Sequence, residues 1–527
     1  MQSSSVSHRV RLSVATIVKN DALGLAKTIH SVESLADEIV VVDTGSSDGS
    51  QSAAVDGGAK VIDFEWCDDF SAARNEALRY ATGDWILWLD AGETISAADA
   101  AALREQLQQG LDTNTVYMMV VKPPAAPGLI AAEQIARIRL APRREGLRFR
   151  GRVRESLYEA VDELQMQVEG LPYRLLRGPR EHDGAAKLAK AERNARLAEL
   201  EMDEIGRAPS LLNCLADALQ TLGRVEEAVH LYGECLTADK RPSSERLEAY
   251  YGLLTCLDQT PGGRPTQLSL CVQALEEFPL DAQLLCAMGG YLQGQGRADL
   301  AARSYQTAFE FGRVNPLVWH MEEVTAIAAV CWSLSLQIQE QNSQAMDVLQ
   351  AAIARDAELP RVRQAMLDLA IKSGDVQRAL NLVEVMPMDA QDRGHLLSAA
   401  RGACLASEKN FGEAAPYLQA AYDAGCRHVV CLRWLTVTAM ALGRQQFAVE
   451  VLQAWLEARP GDPEPQAAID SLLAEAKAPA PPAVQAPIET PARRPGRTLR
   501  FDRSQPGESP SPGSVVKPGA TAPGRRP

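Results

Sequence analysis

No stretch of this sequence approaches the roughly 18 consecutive apolar residues that a membrane-spanning helix needs. The opening MQSSSVSHRVRLSVATIV also has no apolar block followed by a small-residue cleavage site. We therefore expect no signal peptide, no transmembrane segment and a cytoplasmic setting. Patterns for metals and disulfides are equally sparse. The ten cysteines stand singly without a CxxC pair, and the seven histidines are isolated. Small buried thiols in a reducing compartment follow, rather than a disulfide framework or a zinc site. Basic excess is missing too, since a net charge of −14 argues against a general nucleic-acid binder. Aromatics make up only 5% of residues while Ala and Leu dominate the second half, which favours packed helices there.

What is present falls into three regions, as expected of 527 residues, too many for one ordinary core. Over residues 1–185 strand and helix patterns alternate. Residues 10–18, 38–43, 59–64 and 84–90 read as strands, and 23–35, 68–80 and 97–109 as helices, with Asp68 or Asp69 capping the second helix. This rhythm predicts βαβ units and a mainly parallel α/β sheet. Ligands of such sheets bind beyond the carboxyl ends of the strands, and Asp43 and Asp90 sit at two such ends.

Over residues 186–473 the strand signal vanishes and a repeat takes over. A turn residue is followed five positions later by a small apolar residue and nine positions later by a bulky one. Copies start at Gly223, Gly263, Gly296, Glu340, Gly374, Lys409 and Gly443, at intervals of 40, 33, 44, 34, 35 and 34 residues. The fifth position is Ala in six of the seven copies and Leu268 in the other. A period near 34, with a small residue where two helices cross, is the tetratricopeptide pattern; it predicts an all-α solenoid of about seven repeats. Such a concave surface suits a peptide or protein partner. From about Ala476 the composition turns to Pro, Ala, Gly, Ser and Arg, so residues 474–527 are expected to be a disordered tail. From Ala476 onward the chain has nine basic and three acidic residues, a charge of +6 that leaves −20 on the rest.

Two blocks carry the candidate chemistry. VVDTGSSDGS ends a buried strand at Asp43 and runs into a turn of small residues. A carboxylate there can accept from a base or ribose, and exposed backbone N–H groups can approach a phosphate. FSAARNEALRYATGDWILWLDAGE places Arg74 and Asn75 on a helix leading to the strand that ends at Asp90. Arg74 offers a cationic fork to a diphosphate. Together with LSVATIVKND, these blocks resemble family-2 glycosyltransferases of the GT-A fold, in the branch that carries C-terminal tetratricopeptide repeats and includes peptide glycosyltransferases. The resemblance covers roughly residues 10–200. It implies a nucleoside-diphosphate sugar donor, a uridine diphosphate sugar in particular, and inverting transfer to an acceptor deprotonated by a base. It also implies that Asp43 contacts the base of the nucleotide, that Arg74 and Asn75 hold the nucleotide, and that Asp90 opens the family's DxD element.

Two departures from the family pattern stand out. In Asp90-Ala91-Gly92-Glu93, Gly92 takes the place of the second DxD carboxylate. The implied Mg²⁺ or Mn²⁺ thus loses a ligand unless Glu93 supplies one. Arg154 replaces the His of a His-Glu pair, which leaves Glu155 as the candidate base. These departures keep a second reading open: a catalytically weakened nucleotide-sugar scaffold or protein-interaction module. Arg148, Arg150, Arg152 and Arg154 alternate, so on a strand they would share one face. Such a face could stabilise a diphosphate or bind an anionic acceptor, or it could pair with the acidic body.

Overall fold

A computed structural model describes residues 9–123, 133–178, 184–238, 241–259, 264–356, 359–459 and 462–477. Strands β1 (Leu12–Val18), β2 (Glu38–Asp43), β3 (Lys60–Asp63) and β4 (Trp85–Trp88) lie parallel in the order β3-β2-β1-β4. Both faces of β1 and β4 are buried, which is why they read as near-continuous apolar runs. Helices α1 (Ala22–Val32), α2 (Ser50–Asp56) and α3 (Phe70–Tyr80) link the strands. The Asp21 side chain caps α1 by accepting from Gly24 N–H at 3.0 Å, and Asp69 caps α3 by accepting from Ala72 N–H at 3.0 Å. Asp68 is not the cap: it adopts φ +59° and turns its carboxylate to Arg196.

The chain continues through β5 (Glu93–Ile95), α4 (Ala97–Gln109), β6 (Thr115–Lys122), β7 (Glu133–Pro142), α5 (Tyr158–Glu163) and β8 (Gln167–Arg177). These strands extend the sheet in the order β4-β7-β6-β8-β5, with antiparallel pairing everywhere except β6–β8. The expected parallel sheet therefore occupies one half, and the other half is mixed. Leu12, Val14, Leu87 and Leu89 pack on one face against Leu103 and Leu107 of α4. Ala15, Val42 and Trp88 pack on the other against Ala77 of α3.

A long helix, α6 (Gly184–Ile205), leads into helix pairs. They are α7 (Pro209–Thr221) with α8 (Val225–Ala238), α9 (Ser244–Asp258) with α10 (Arg264–Glu277), and α11 (Ala282–Gly294) with α12 (Ala298–Phe311). Then follow α13 (Val324–Ile338) with α14 (Asn342–Arg355), and α15 (Pro360–Lys372) with α16 (Val376–Glu384). The last pairs are α17 (Ala390–Ser407) with α18 (Phe411–Asp423) and α19 (Val429–Ala441) with α20 (Gln445–Ala458), before α21 (Pro463–Lys477). Gly223, Glu340, Gly296, Gly374, Lys409 and Gly443 all take left-handed φ between +61° and +79° at the turns, the conformation that favours glycine. The repeat alanines Ala228, Ala301, Ala345, Ala379, Ala414 and Ala448 are fully buried where the helices cross.

One repeat is displaced from its expected start at Gly263, a residue outside those described. In α10 the buried residues are Gln267, Cys271 and Ala274, matching Ala301, Tyr305 and Ala308 one repeat later, while Val272 is 44% exposed. Two successive glycines hide this one-residue shift in the sequence. The expected tail lies almost wholly outside the described residues, which end at Lys477.

The solenoid grips the sheet region. A short strand between α12 and α13, β9 (His320–Met321), pairs antiparallel with β7, and Ala136 N–H donates to the Pro316 carbonyl at 2.7 Å. The arginine-rich stretch does not form a strand face, which corrects the alternation read from sequence; Arg152 and Arg154 reach the helices that follow the sheet, while Arg150 stays within the α/β region. Gly151 (φ +100°) and Arg154 (φ +53°) turn the backbone, and the side chains diverge. Arg150 pairs with Glu159 and Glu163, Arg152 with Glu204, and Arg154 with Asp217 and Glu248. Glu201 of α6 accepts from the backbone N–H of Arg152 at 2.7 Å.

Candidate active site

Strands β1, β2 and β4 end together, and beyond their carboxyl ends lies a cleft of about 1180 Å³. Lys19, Thr44, Asp90 and Glu155 line one wall, and Ser244, Glu248 and Trp319 of the solenoid line the other. At its floor the chain leaves β4 through Asp90 and doubles back at Gly92, whose φ of +87° permits the reversal. Glu93 then folds under, so that its Oε2 accepts the Asp90 N–H at 3.0 Å.

Three arginines converge on the carboxylates. Arg74 donates from Nη2 to Asp90 Oδ1 at 2.7 Å and from Nε to Glu155 Oε1 at 2.5 Å. Arg177 donates to Asp90 Oδ2 at 3.0 Å and to Glu93 Oε1 at 2.6 Å. Arg139 reaches the same two atoms at 3.4 and 2.8 Å. Burial alone would raise the Asp90 carboxyl, but Arg139, Arg74 and Arg177 together hold it well below the usual carboxylate range. The Arg74 guanidinium also lies over the Phe149 ring, 5.5 Å from its centroid.

The structure thus brings Arg74, Asp90 and Glu155 together, as the sequence blocks suggested. Asp43 lies at the neighbouring strand end. Its Oδ1 accepts from Gly45 and Ser46 N–H at 3.0 and 2.8 Å, while its buried Oδ2 has no partner among the described residues. Asn75 does not join them. Its amide brackets Phe149, donating to the carbonyl at 2.9 Å and accepting from the N–H at 2.8 Å, so in this structure it braces the wall.

The metal assignment of Glu93 does not fit its surroundings. Its side chain is 0% exposed and both oxygens are taken, by Arg139 and Arg177 on one side and by Asp90 N–H on the other. Asp90 has both oxygens on guanidinium groups, and Gly92 supplies none. Among the described residues no cluster of three or more His, Cys, Asp or Glu is arranged to hold an ion. The residues present therefore do not fit a divalent cation.

Sequence reasoning missed Arg177, which comes from the far end of β8, and the role of Arg139. Arg137 and Arg139 do carry a signal: both stand at alternate positions of the otherwise apolar stretch 135–142 of β7. Arg137 opens on the cleft with no hydrogen bond or ion pair among the described residues.

Residues 13–127 match the family model described as Glycosyl transferase family 2. Residues 13–127, the first part of the α/β region, therefore form a family-2 glycosyltransferase domain. Over 157 residues the chain is 36% identical to a TPR repeat-containing protein of Synechococcus elongatus, spanning 30% of this chain and 38% of that protein. It is 37% identical over 86 residues to a glycosyltransferase of Rickettsia felis, covering 16% of this chain and 30% of that protein. The SPbeta prophage-derived glycosyltransferase SunS of Bacillus subtilis is 34% identical over 87 residues, covering 16% of this chain and 21% of that protein. The chain thus spans between about a fifth and two fifths of these relatives' lengths. Among solved structures, yeast Tom70 is 13% identical, with a TM-score of 0.34 over 56% of this chain and 64% of that chain. The tetratricopeptide solenoid rests on its own helix pairs and buried alanines. The glycosyltransferase domain and the solenoid together build the cleft, and no helix among the described residues is long and apolar enough to cross a membrane.

Proposed function

We propose that the cleft binds a nucleoside-diphosphate sugar, with a uridine nucleotide as carrier, and transfers the sugar with inversion to a peptide or protein segment guided by the solenoid. The observation that carries this reading is the guanidinium–carboxylate cluster of Arg74, Asp90 and Glu155 on the floor of a large cleft at the carboxyl ends of parallel strands. Charge supports it: nine Lys and Arg against five Asp and Glu line the cleft, although the whole chain stands at −14. An anionic donor is drawn to such a basin.

In this reading the unpartnered Asp43 Oδ2 accepts from the nucleotide base and Asp90 from a ribose hydroxyl. Glu155 lines the cleft, and its Oε2 has no hydrogen bond among the described residues. It takes the acceptor's proton as the acceptor attacks the anomeric carbon, and the carbon–oxygen bond to the diphosphate breaks on the opposite face. Acceptor entry along the solenoid wall rests on architecture.

The test is release of nucleoside diphosphate from a panel of nucleotide sugars by the full chain, with and without candidate peptides. Release from one donor, abolished in Asp90→Ala, supports the transferase. Tight donor binding with no release under any condition, acceptors included, would replace it with a nucleotide-sugar scaffold.

A further inference from the structure

We propose that this transferase neutralises the leaving diphosphate with the guanidinium groups of Arg139 and Arg177 and uses no divalent cation. The inference rests on the nucleotide-sugar reading above and names what holds the diphosphate.

A dication needs several free carboxylate lone pairs, whereas Asp90 and Glu93 each already accept three hydrogen bonds, from guanidiniums at 2.6–3.4 Å and, at Glu93, also from a backbone N–H, which leaves at most one acceptor position on each. Placing a dication there would set it against three fixed positive charges.

Arg139 and Arg177 each use only Nη2. Their Nε atoms are buried without a hydrogen-bond partner, and no Nη1 bond is made among the described residues. Such unspent donors need acceptors. A diphosphate carries several oxygens, and guanidinium forks match phosphate geometry. The Arg177 side chain, 23% exposed, opens on the cleft. Arg137 stands two residues before Arg139 on the same face of β7 and adds an unpaired cation at the rim.

The reaction balances without a metal. The acceptor's proton goes to Glu155 and the acceptor bonds to the anomeric carbon. The electron pair of the broken bond stays on the diphosphate oxygen, whose added negative charge is met by fixed donors already in place.

The test is calorimetric titration of UDP into the full chain in EDTA and again in Mn²⁺, with Mn²⁺ binding followed by electron paramagnetic resonance. We expect affinities within about twofold of each other in the two buffers, no UDP-dependent Mn²⁺ uptake, and at least tenfold weaker binding in Arg177→Gln. Arg137→Gln, which leaves the carboxylate cluster intact, should weaken UDP about threefold and become the arbiter if Arg177→Gln fails to fold. Affinity at least tenfold higher with Mn²⁺ would overturn the inference while leaving the nucleotide-sugar reading intact. No binding in either buffer would overturn both.

Discussion

Removing the Glu93 carboxylate should unfold the floor of the cleft, whether or not metal is present. Glu93→Ala strips the counter-charge from Arg139, whose side chain is 7% exposed, and takes one of two carboxylates from Arg177. It also leaves the Asp90 N–H without its acceptor. Breaking a buried pair from one side costs about 3–5 kcal/mol, and an orphaned N–H adds about 1–3 kcal/mol. Arg139 and Arg177 keep Asp90 as a partner, so the low end applies, a total of about 4 kcal/mol. Set against about 5–15 kcal/mol for a whole domain, that is a severe loss. Glu93→Gln keeps the shape and an acceptor and should cost about half as much, ~2 kcal/mol. Thermal unfolding with and without Mn²⁺, with hydrogen exchange read at β5 and β8, measures both variants. The reasoning fails if Glu93→Ala melts within about 1 °C of the parent yet loses Mn²⁺ binding, because Glu93 would then be a ligand and not a strut.

Other consequences can be checked separately. Burial raises the Asp217 carboxyl to about 6 despite Arg154, with Glu248 adding to the shift. A carboxyl with a raised folded pKa binds its proton more tightly folded than unfolded, so its contribution to stability falls as pH rises from about 4 to about 6. Since the side chain is 45% exposed, screening limits the effect to about 1 kcal/mol; Asp217→Asn should flatten that part of the stability–pH curve, and an unchanged slope would contradict it. Asn75→Ala removes both hydrogen bonds to the Phe149 backbone and should cost about 2 kcal/mol in denaturant unfolding, with little direct effect on UDP affinity. Gly252→Ala in α9 gains about 1 kcal/mol of helix propensity. The added methyl would nevertheless overlap the fully buried Tyr232 ring, whose hydroxyl is tied to Asp217, so net destabilisation of about 2 kcal/mol is expected in the same assay.

Much of this fold was legible because local pattern and burial agree. The run Ile39-Val40-Val41-Val42 lies wholly within strand β2, and helix α4 spans the residues its periodicity marks. Glu340 and Lys409 fill glycine positions of the repeat yet still adopt left-handed φ, so the buried alanine five residues later was the sounder signal. The reading failed where contacts are distant in sequence. Arg177 meets Asp90 across 87 residues, and the two-residue strand β9 exists only through its pairing with β7. Alternation misled at Arg150, Arg152 and Arg154, because Gly151 and the left-handed Arg154 break the pleat that a period of two presupposes. At the site, Asp90, Glu155 and Arg74 could be named from motif position, but Arg139 and Arg177, which also bind Asp90, could not.

The central claim is that a sugar nucleotide occupies the cleft shared by the glycosyltransferase domain and the solenoid. The most direct measurement is hydrogen–deuterium exchange of the full chain with and without saturating UDP. Slowed exchange at Thr44–Ser46, Asp90–Glu93 and Arg154–Ser156, with helices α15–α20 unchanged, is the predicted result. Unaltered exchange at those three segments would contradict the account.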